Sequence, residues 1–79
     1  MVDNPKKELV EKIASEQLVG KIPQRALARV AGNMPVDRFT EAIDGLVDEE
    51  VFGKPSYDLR EKQIIYQFAP EVARKKGYL

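Results

Sequence analysis

Prolines and glycines divide this 79-residue chain into short segments, and this division restricts the folds open to it. Proline fixes φ and lacks an N–H, so it is tolerated in the first turn of a helix but not in its interior. Glycine readily adopts the left-handed conformation with which helices commonly end. Between these positions apolar residues recur at helical spacing in three stretches. The sequence therefore predicts several short helices rather than one long element.

Three helices and a short strand are predicted in the first 50 residues. Asn4-Pro5 opens the first helix, because asparagine caps a helix and proline is favoured at its first position. A glycine and β-branched residues in 18–22 favour a helix stop and a very short strand. Pro23 and Pro35 begin the second and third helices, and Gly32-Asn33 ends the second. The residues predicted to face inward are Leu9, Val10, Ile13, Ala14 and Leu18, then Ala26, Leu27, Val30 and Ala31, then Val36, Phe39, Ile43, Leu46 and Val47.

A two-stranded hairpin and a last short helix are predicted for the remainder. We expect 51–55 to leave the third helix as a strand, 56–62 to be a polar excursion and 63–68 to return as the second strand. A helix then begins at Pro70, with Gly77 as its C-cap and an apolar tail after it. Alternation along this strand is expected to place three side chains on one face, namely those of Ile64, Tyr66 and Phe68.

These elements predict one small α+β domain over 1–79, with a core over 5–68 and a C-terminal extension over 69–79. The chain has neither cysteine nor histidine, so disulfides, thiolate metal sites and the commonest general base are excluded. We predict no enzyme activity, no cofactor and no metal site, since Asp44 and Asp48 alone supply too few ligands for a hard cation. Without a signal peptide or a membrane-spanning segment, a cytoplasmic location with no membrane contact is expected.

Charge is unevenly distributed along a chain whose 13 basic and 13 acidic side chains cancel. Residues 1–36 carry +2, residues 37–50 carry −5 and residues 51–79 carry +3. DNA-binding domains usually show a basic patch and a high isoelectric point, because phosphate neutralisation supplies much of their affinity. The isoelectric point of about 6.3 argues against that class.

The order of predicted elements resembles that of the winged-helix family over roughly residues 6–68. Relative to the usual spacing, the turn before the third helix is one residue longer, with Asn33 as the insertion, and Glu50 stands where the family often has glycine. The resemblance implies a helix-turn-helix core followed by a hairpin wing, and a role in binding either DNA or protein. The residues that carry it are Leu27-Ala28, Gly32, Phe39, Ala42-Ile43, Leu46 and Val51-Phe52.

Over a shorter run the chain is also similar to the small D proteins that accompany dissimilatory sulfite reductase. The similarity lies in length, in the run 43–52 and in Tyr66 of the last strand, whereas the segment before the second helix departs from it. It implies a small stand-alone accessory protein.

The third helix conflicts in charge with the role that it has in DNA-binding winged helices. There, side chains at the start and along the exposed face of this helix meet bases and phosphates. The positions that match are Pro35, Val36, Asp37, Arg38, Thr40, Glu41 and Asp44, of which only Arg38 and Thr40 suit that task. We therefore predict that Glu41, Asp44 and Asp48 bind a basic surface of a protein partner.

An alternative is double-stranded DNA bound by the wing and the second helix. An aromatic residue and several cations suit a phosphate backbone, although Asp58 and Glu61 interrupt the cluster. A further possibility is that Arg74, Lys75 and Lys76 fold back onto the acids at the end of the third helix. The residues predicted for DNA contact are Arg25, Arg29, Arg38, Thr40, Tyr57, Arg60 and Lys62.

Overall fold

A computed structural model describes residues 4–79, which form four helices and a three-stranded antiparallel sheet. The elements are α1 (Pro5–Ser15), β1 (Gly20–Pro23), α2 (Gln24–Ala31), α3 (Val36–Asp48), β2 (Ser56–Asp58), β3 (Gln63–Phe68) and α4 (Pro70–Lys75). The predicted α+β class is confirmed. Within this described range no helix combines the length and apolar character needed to cross a membrane.

Local chemistry sets the helix starts where the sequence predicted them. The Asn4 side chain accepts a hydrogen bond from the Lys7 N–H at 3.2 Å, and Pro5 occupies the first turn of α1. Pro23 and Pro35 are the N-cap residues of α2 and α3, with ψ of 148° and 146°. Proline favours this arrangement because its fixed φ suits the helix entrance.

Three helices end in the same paired hydrogen-bond pattern, in which a left-handed residue turns the chain. At the end of α3 the Glu50 N–H donates to the Val47 carbonyl and the Val51 N–H donates to the Leu46 carbonyl, at 3.1 and 2.9 Å. This is a Schellman motif. Equivalent pairs close α1 and α4, and the left-handed residues are Gln17, Glu50 and Gly77, with φ of 57°, 65° and 83°.

The sheet has β3 at its centre, with β1 and β2 antiparallel on either side. The predicted second strand of the hairpin, 63–68, is confirmed, but the predicted first strand, 51–55, is wrong. There, Phe52 forms only an isolated bridge with Phe68, and the strand lies at 56–58 instead. The reason is that Pro55 has no N–H to donate, so regular pairing resumes only after it.

A short turn inside the predicted polar excursion closes the hairpin. The Asp58 carboxylate accepts hydrogen bonds from the backbone N–H groups of Arg60 and Glu61, at 2.9 and 3.2 Å. An aspartate that bonds its own following backbone in this way stabilises a turn. Lys62 then adopts a left-handed conformation, φ 53°, before β3 begins.

One apolar core joins the helices to one face of the sheet, and α1 packs on both α2 and α3. The Phe52 ring lies between Tyr66 and Phe68, at centroid distances of 5.6 and 5.9 Å. The C-terminal residues 69–79 contribute Ala73 and Tyr78 to this core. The buried apolar residues are Leu9, Val10, Ile13, Ile22, Leu27, Ala31, Ala42, Ile43, Leu46, Val51, Phe52, Tyr66, Phe68, Ala73 and Tyr78.

Two residues predicted to face inward do not. Val36 leaves 77% of its surface exposed, because it starts α3 and the buried stripe of that helix begins one turn later at Phe39. Ala14 is exposed near the end of α1, where Ile13 and the partly buried Leu18 face the core. Both residues fit the helical spacing of the apolar residues, but spacing alone does not show whether another element covers that part of the helix.

Candidate functional site

The acidic face of α3 consists of Asp37, Glu41, Asp44 and Asp48. Spacings of four, three and four residues place these side chains on one side of the helix. The opposite side is occupied by the buried stripe, so all four carboxylates are exposed to solvent. Together with Thr40 and Gly45 they line one shallow, open depression.

Glu41, Asp44 and Asp48, the residues predicted to bind a partner, are therefore brought together on one surface. The ion pairs among residues 4–79 are Lys6–Glu49 and Lys7–Glu11, and these three acids belong to neither. Burial, and then the negative charge of Asp44, raise the pKa of the nearby Tyr66 phenol. The acidic face thus presents its charge to water and to anything that approaches α3.

Glu49, one residue beyond Asp48, has a different environment. One of its carboxylate oxygens accepts a hydrogen bond from the Tyr78 hydroxyl at 2.5 Å, and the other pairs with the Lys6 ammonium. The bond from Lys6 and then the bond from Tyr78 lower the pKa of Glu49. Glu49, the C-cap residue of α3, is therefore neutralised within the molecule, whereas the four carboxylates of the acidic face are exposed.

The C-terminal segment does fold back onto the end of α3. The residue that makes the hydrogen bond is Tyr78, for which the sequence analysis predicted no such role. The charge of Lys76 contributes only a small part to the lowered pKa of Glu49, whereas Tyr78 donates directly. Burial, and then the bond to Glu49, raise the pKa of Tyr78. Gly77, with φ 83°, turns the chain and places Tyr78 against the core.

The residues predicted for DNA contact are distributed over several surfaces. Thr40 lines the acidic depression, and Arg60 lines a depression on another side of the hairpin that includes Lys21 and Leu59. Arg29 is exposed on α2, and Arg38 is half-buried on α3. Neither arginine lines the groove that contains three of the residues predicted for DNA contact.

That groove lies between α2 and the hairpin and contains Arg25, Tyr57 and Lys62. We call it the α2–hairpin groove, and its lining residues are Gln24, Arg25, Ala28, Phe39, Tyr57, Lys62, Gln63 and Ile64. Sequence reasoning did not identify Gln24, Phe39 or Gln63 as neighbours of the cations, because their proximity depends on how α2, α3 and the hairpin pack.

No group of three or more metal-ligating side chains converges anywhere in residues 4–79. Comparison with protein-family models, with curated proteins and with solved structures gives no match for the chain. The acidic face of α3 and the α2–hairpin groove are thus the two surfaces from which a function can be argued.

Proposed function

We propose that this chain is a non-enzymatic binding module of the winged-helix type, with a regulatory or accessory role. In this proposal the acidic face of α3 binds a basic surface of a protein partner. The observation that carries it is the line of four exposed carboxylates on one side of a 13-residue helix.

The winged-helix part of the proposal is supported by the order of elements. A short strand precedes α2, residues 32–35 join α2 to α3, and an antiparallel hairpin follows. Glu50, at the position where that family often has glycine, has the left-handed φ that glycine would favour.

The sign of the charge on α3 favours a protein partner over nucleic acid. Duplex DNA carries one negative charge per about 1.7 Å along its axis, so α3 in a groove would set its carboxylates beside several phosphates. A basic protein surface, by contrast, would be attracted. Such complementarity speeds encounter and excludes wrong partners more than it increases affinity.

The alternative proposal is a DNA-binding transcriptional regulator that uses the wing and the second helix. Its support is the presence of Arg25, Tyr57 and Lys62 in one groove. The positions of Arg29, Thr40 and Arg60 on other surfaces reduce that support.

Charge reversal on α3 separates the two proposals. A fluorescein-labelled peptide rich in lysine and arginine, and a labelled generic duplex, are titrated by fluorescence anisotropy at two salt concentrations. The proposal expects the variant Glu41→Lys/Asp44→Lys to lose affinity for the basic peptide by about tenfold, or about 1.4 kcal/mol. The control variant Glu8→Lys/Glu16→Lys changes net charge equally on exposed residues of α1 and its C-cap.

Two results would contradict the proposal. One is an equal loss of peptide affinity in the control, which would make net charge rather than the acidic face responsible. The other is tight, steeply salt-dependent duplex binding by the unmodified chain that Glu41→Lys/Asp44→Lys strengthens, which would favour the DNA-binding alternative.

A further inference from the structure

The α2–hairpin groove differs from the acidic face of α3 in charge, in aromatic content and in hydrogen bonding. Its lining includes two exposed cations, Arg25 and Lys62, and no acidic residue. In a chain with 13 acidic and 13 basic side chains, this is a local excess of positive charge. The groove therefore favours a ligand that carries negative charge.

The rest of the lining is largely apolar and aromatic. Ala28, Phe39 and Ile64 contribute apolar side chains to the lining, and Tyr57 leaves 58% of its surface exposed. Exposed tyrosine offers a large contact area with few rotatable bonds, which is why it is frequent in binding surfaces. A ligand that fits this groove combines negative charge with apolar side chains.

The groove also contains an unused hydrogen-bond acceptor. The Oε1 atom of Gln63 is buried and has no hydrogen-bond partner among the described residues. Such an atom loses the free energy of its bond to water without a replacement. A ligand in the groove can donate to it once the Gln63 amide rotates towards the groove. A peptide backbone supplies N–H donors at every residue except proline, whereas a phosphodiester backbone has none.

From these observations we propose that the α2–hairpin groove binds an extended acidic peptide segment of a partner protein. Arg25 and Lys62 pair with its carboxylates, and Tyr57 and Phe39 contact an apolar side chain of the peptide. The Gln63 amide rotates towards the groove and accepts a backbone N–H. Nucleic acid is the competing occupant, and it is disfavoured because its phosphodiester backbone has no N–H to donate to Gln63. This binding does not depend on the proposed partner of α3.

The test uses the full chain and two short fluorescein-labelled peptides. In one peptide glutamate alternates with leucine, and in the other lysine replaces glutamate. The proposal expects the acidic peptide to bind through Arg25 and Lys62, and it expects changes at these two residues not to weaken binding of the basic peptide to the acidic face of α3. The variant Arg25→Glu/Lys62→Glu should weaken acidic-peptide binding by at least about tenfold.

Arg74→Glu/Lys75→Glu is the matched control, since it changes the same number of exposed cations on α4. It should leave acidic-peptide affinity within about twofold of the unmodified chain, because exposed charges distant from the site are screened. Equal losses in both variants would overturn the proposal, because net charge would then explain the binding.

Gln63→Met gives a second, charge-neutral measurement. It removes the acceptor and keeps the length of the side chain, so acidic-peptide affinity should fall about fivefold with an unchanged salt dependence. The proposal is overturned if the acidic peptide does not bind, or if Gln63→Met has no effect. It is also overturned if labelled duplex DNA binds more tightly than the peptide through the same two cations.

Discussion

Glu50 has a left-handed backbone conformation, φ 65°, at the position after the C-cap of α3. A side chain with a Cβ atom is unfavourable there by roughly 1 kcal/mol, whereas glycine is not. Glu50 also places negative charge near the carbonyl end of the α3 dipole, where an acid is unfavourable. Glu50 is therefore unfavourable at this position for two reasons, one conformational and one electrostatic.

We predict that Glu50→Gly stabilises the protein by about 0.5–1 kcal/mol. The gain should appear as a higher urea midpoint with an unchanged slope in equilibrium unfolding. Glu50→Gln isolates the charge, since it keeps the Cβ atom and the left-handed strain. If Glu50→Gln stabilises as much as Glu50→Gly, the backbone explanation is wrong.

Gln63 carries the second prediction at this scale. Its Oε1 atom is buried without a partner, and an unsatisfied buried polar atom typically costs about 1–3 kcal/mol. Gln63→Met removes the polar atom at similar volume, so the free energy of unfolding should rise by about 1 kcal/mol. The check is urea unfolding monitored by circular dichroism, and a destabilised Gln63→Met variant would contradict the assignment.

At the scale of elements, the end of α3 is fixed to α1 and to the C-terminal segment by one carboxylate. Lys6 precedes the first buried residue of α1, and Tyr78 follows α4, yet both side chains contact Glu49. Three elements that are distant in sequence thus share a single partly buried acid. Removal of its charge should weaken both attachments together, the one from Lys6 and the one from Tyr78.

This arrangement predicts how stability changes with pH. The pKa of Glu49 is lowered from its ordinary value of 4.5, first by Lys6 and then by Tyr78. A lowered pKa in the folded state contributes stability above the unfolded pKa, and that contribution is lost as pH falls through the folded value. The free energies of unfolding of the unmodified chain and of Glu49→Gln should therefore approach each other as the pH falls from about 6 to about 2.5.

At neutral pH the quantity to measure is the difference in the free energy of unfolding between the unmodified chain and each variant. Glu49→Gln should cost about 1 kcal/mol at pH 7, because the pair with Lys6 is partly exposed and screened. Tyr78→Phe keeps the buried ring and removes only the donor, so it should cost about 1 kcal/mol. A difference between unmodified chain and Glu49→Gln that persists unchanged at the lowest pH would contradict the role of the carboxylate.

Helix starts that depend on a capping residue or a proline could be predicted from the sequence. Strand limits that depend on hydrogen bonds to another strand could not. The starts of α1, α2 and α3 follow from Asn4-Pro5, Pro23 and Pro35, each of which acts on its own neighbours. The first strand of the hairpin was misplaced because its register depends on bonds to β3. Val36 was misplaced because it lies in the first turn of α3, before the buried stripe begins at Phe39.

The same distinction applies to the two candidate surfaces. Helical spacing was enough to place Glu41, Asp44 and Asp48 on one side of α3. Both cations of the α2–hairpin groove were named from the sequence, but the groove depends on the relative positions of α2, α3 and β3, so their position beside Phe39 and Gln63 was not predicted. Gln63 gives no signal in sequence, because an unpartnered acceptor exists only in the folded molecule.

At the scale of the whole molecule, a net charge of zero conceals two surfaces of opposite sign. The acidic face of α3 carries four carboxylates, and the α2–hairpin groove carries Arg25 and Lys62. The described residues extend over 41 × 26 × 22 Å. At about 0.01 M salt the Debye length is roughly 30 Å, comparable to these dimensions, so opposite surfaces of neighbouring molecules attract.

This charge distribution predicts how molecules of the chain interact in solution. The osmotic second virial coefficient, measured by light scattering, should rise as salt increases from about 0.01 to 0.15 M, because screening removes the attraction. Glu41→Lys/Asp44→Lys should abolish this rise by removing half of the acidic face. Glu8→Lys/Glu16→Lys produces the same net charge but leaves the acidic face intact, so its coefficient at low salt should stay below that of the α3 variant. Identical coefficients in the two variants would show that net charge, and not the separation of the two surfaces, governs the interaction.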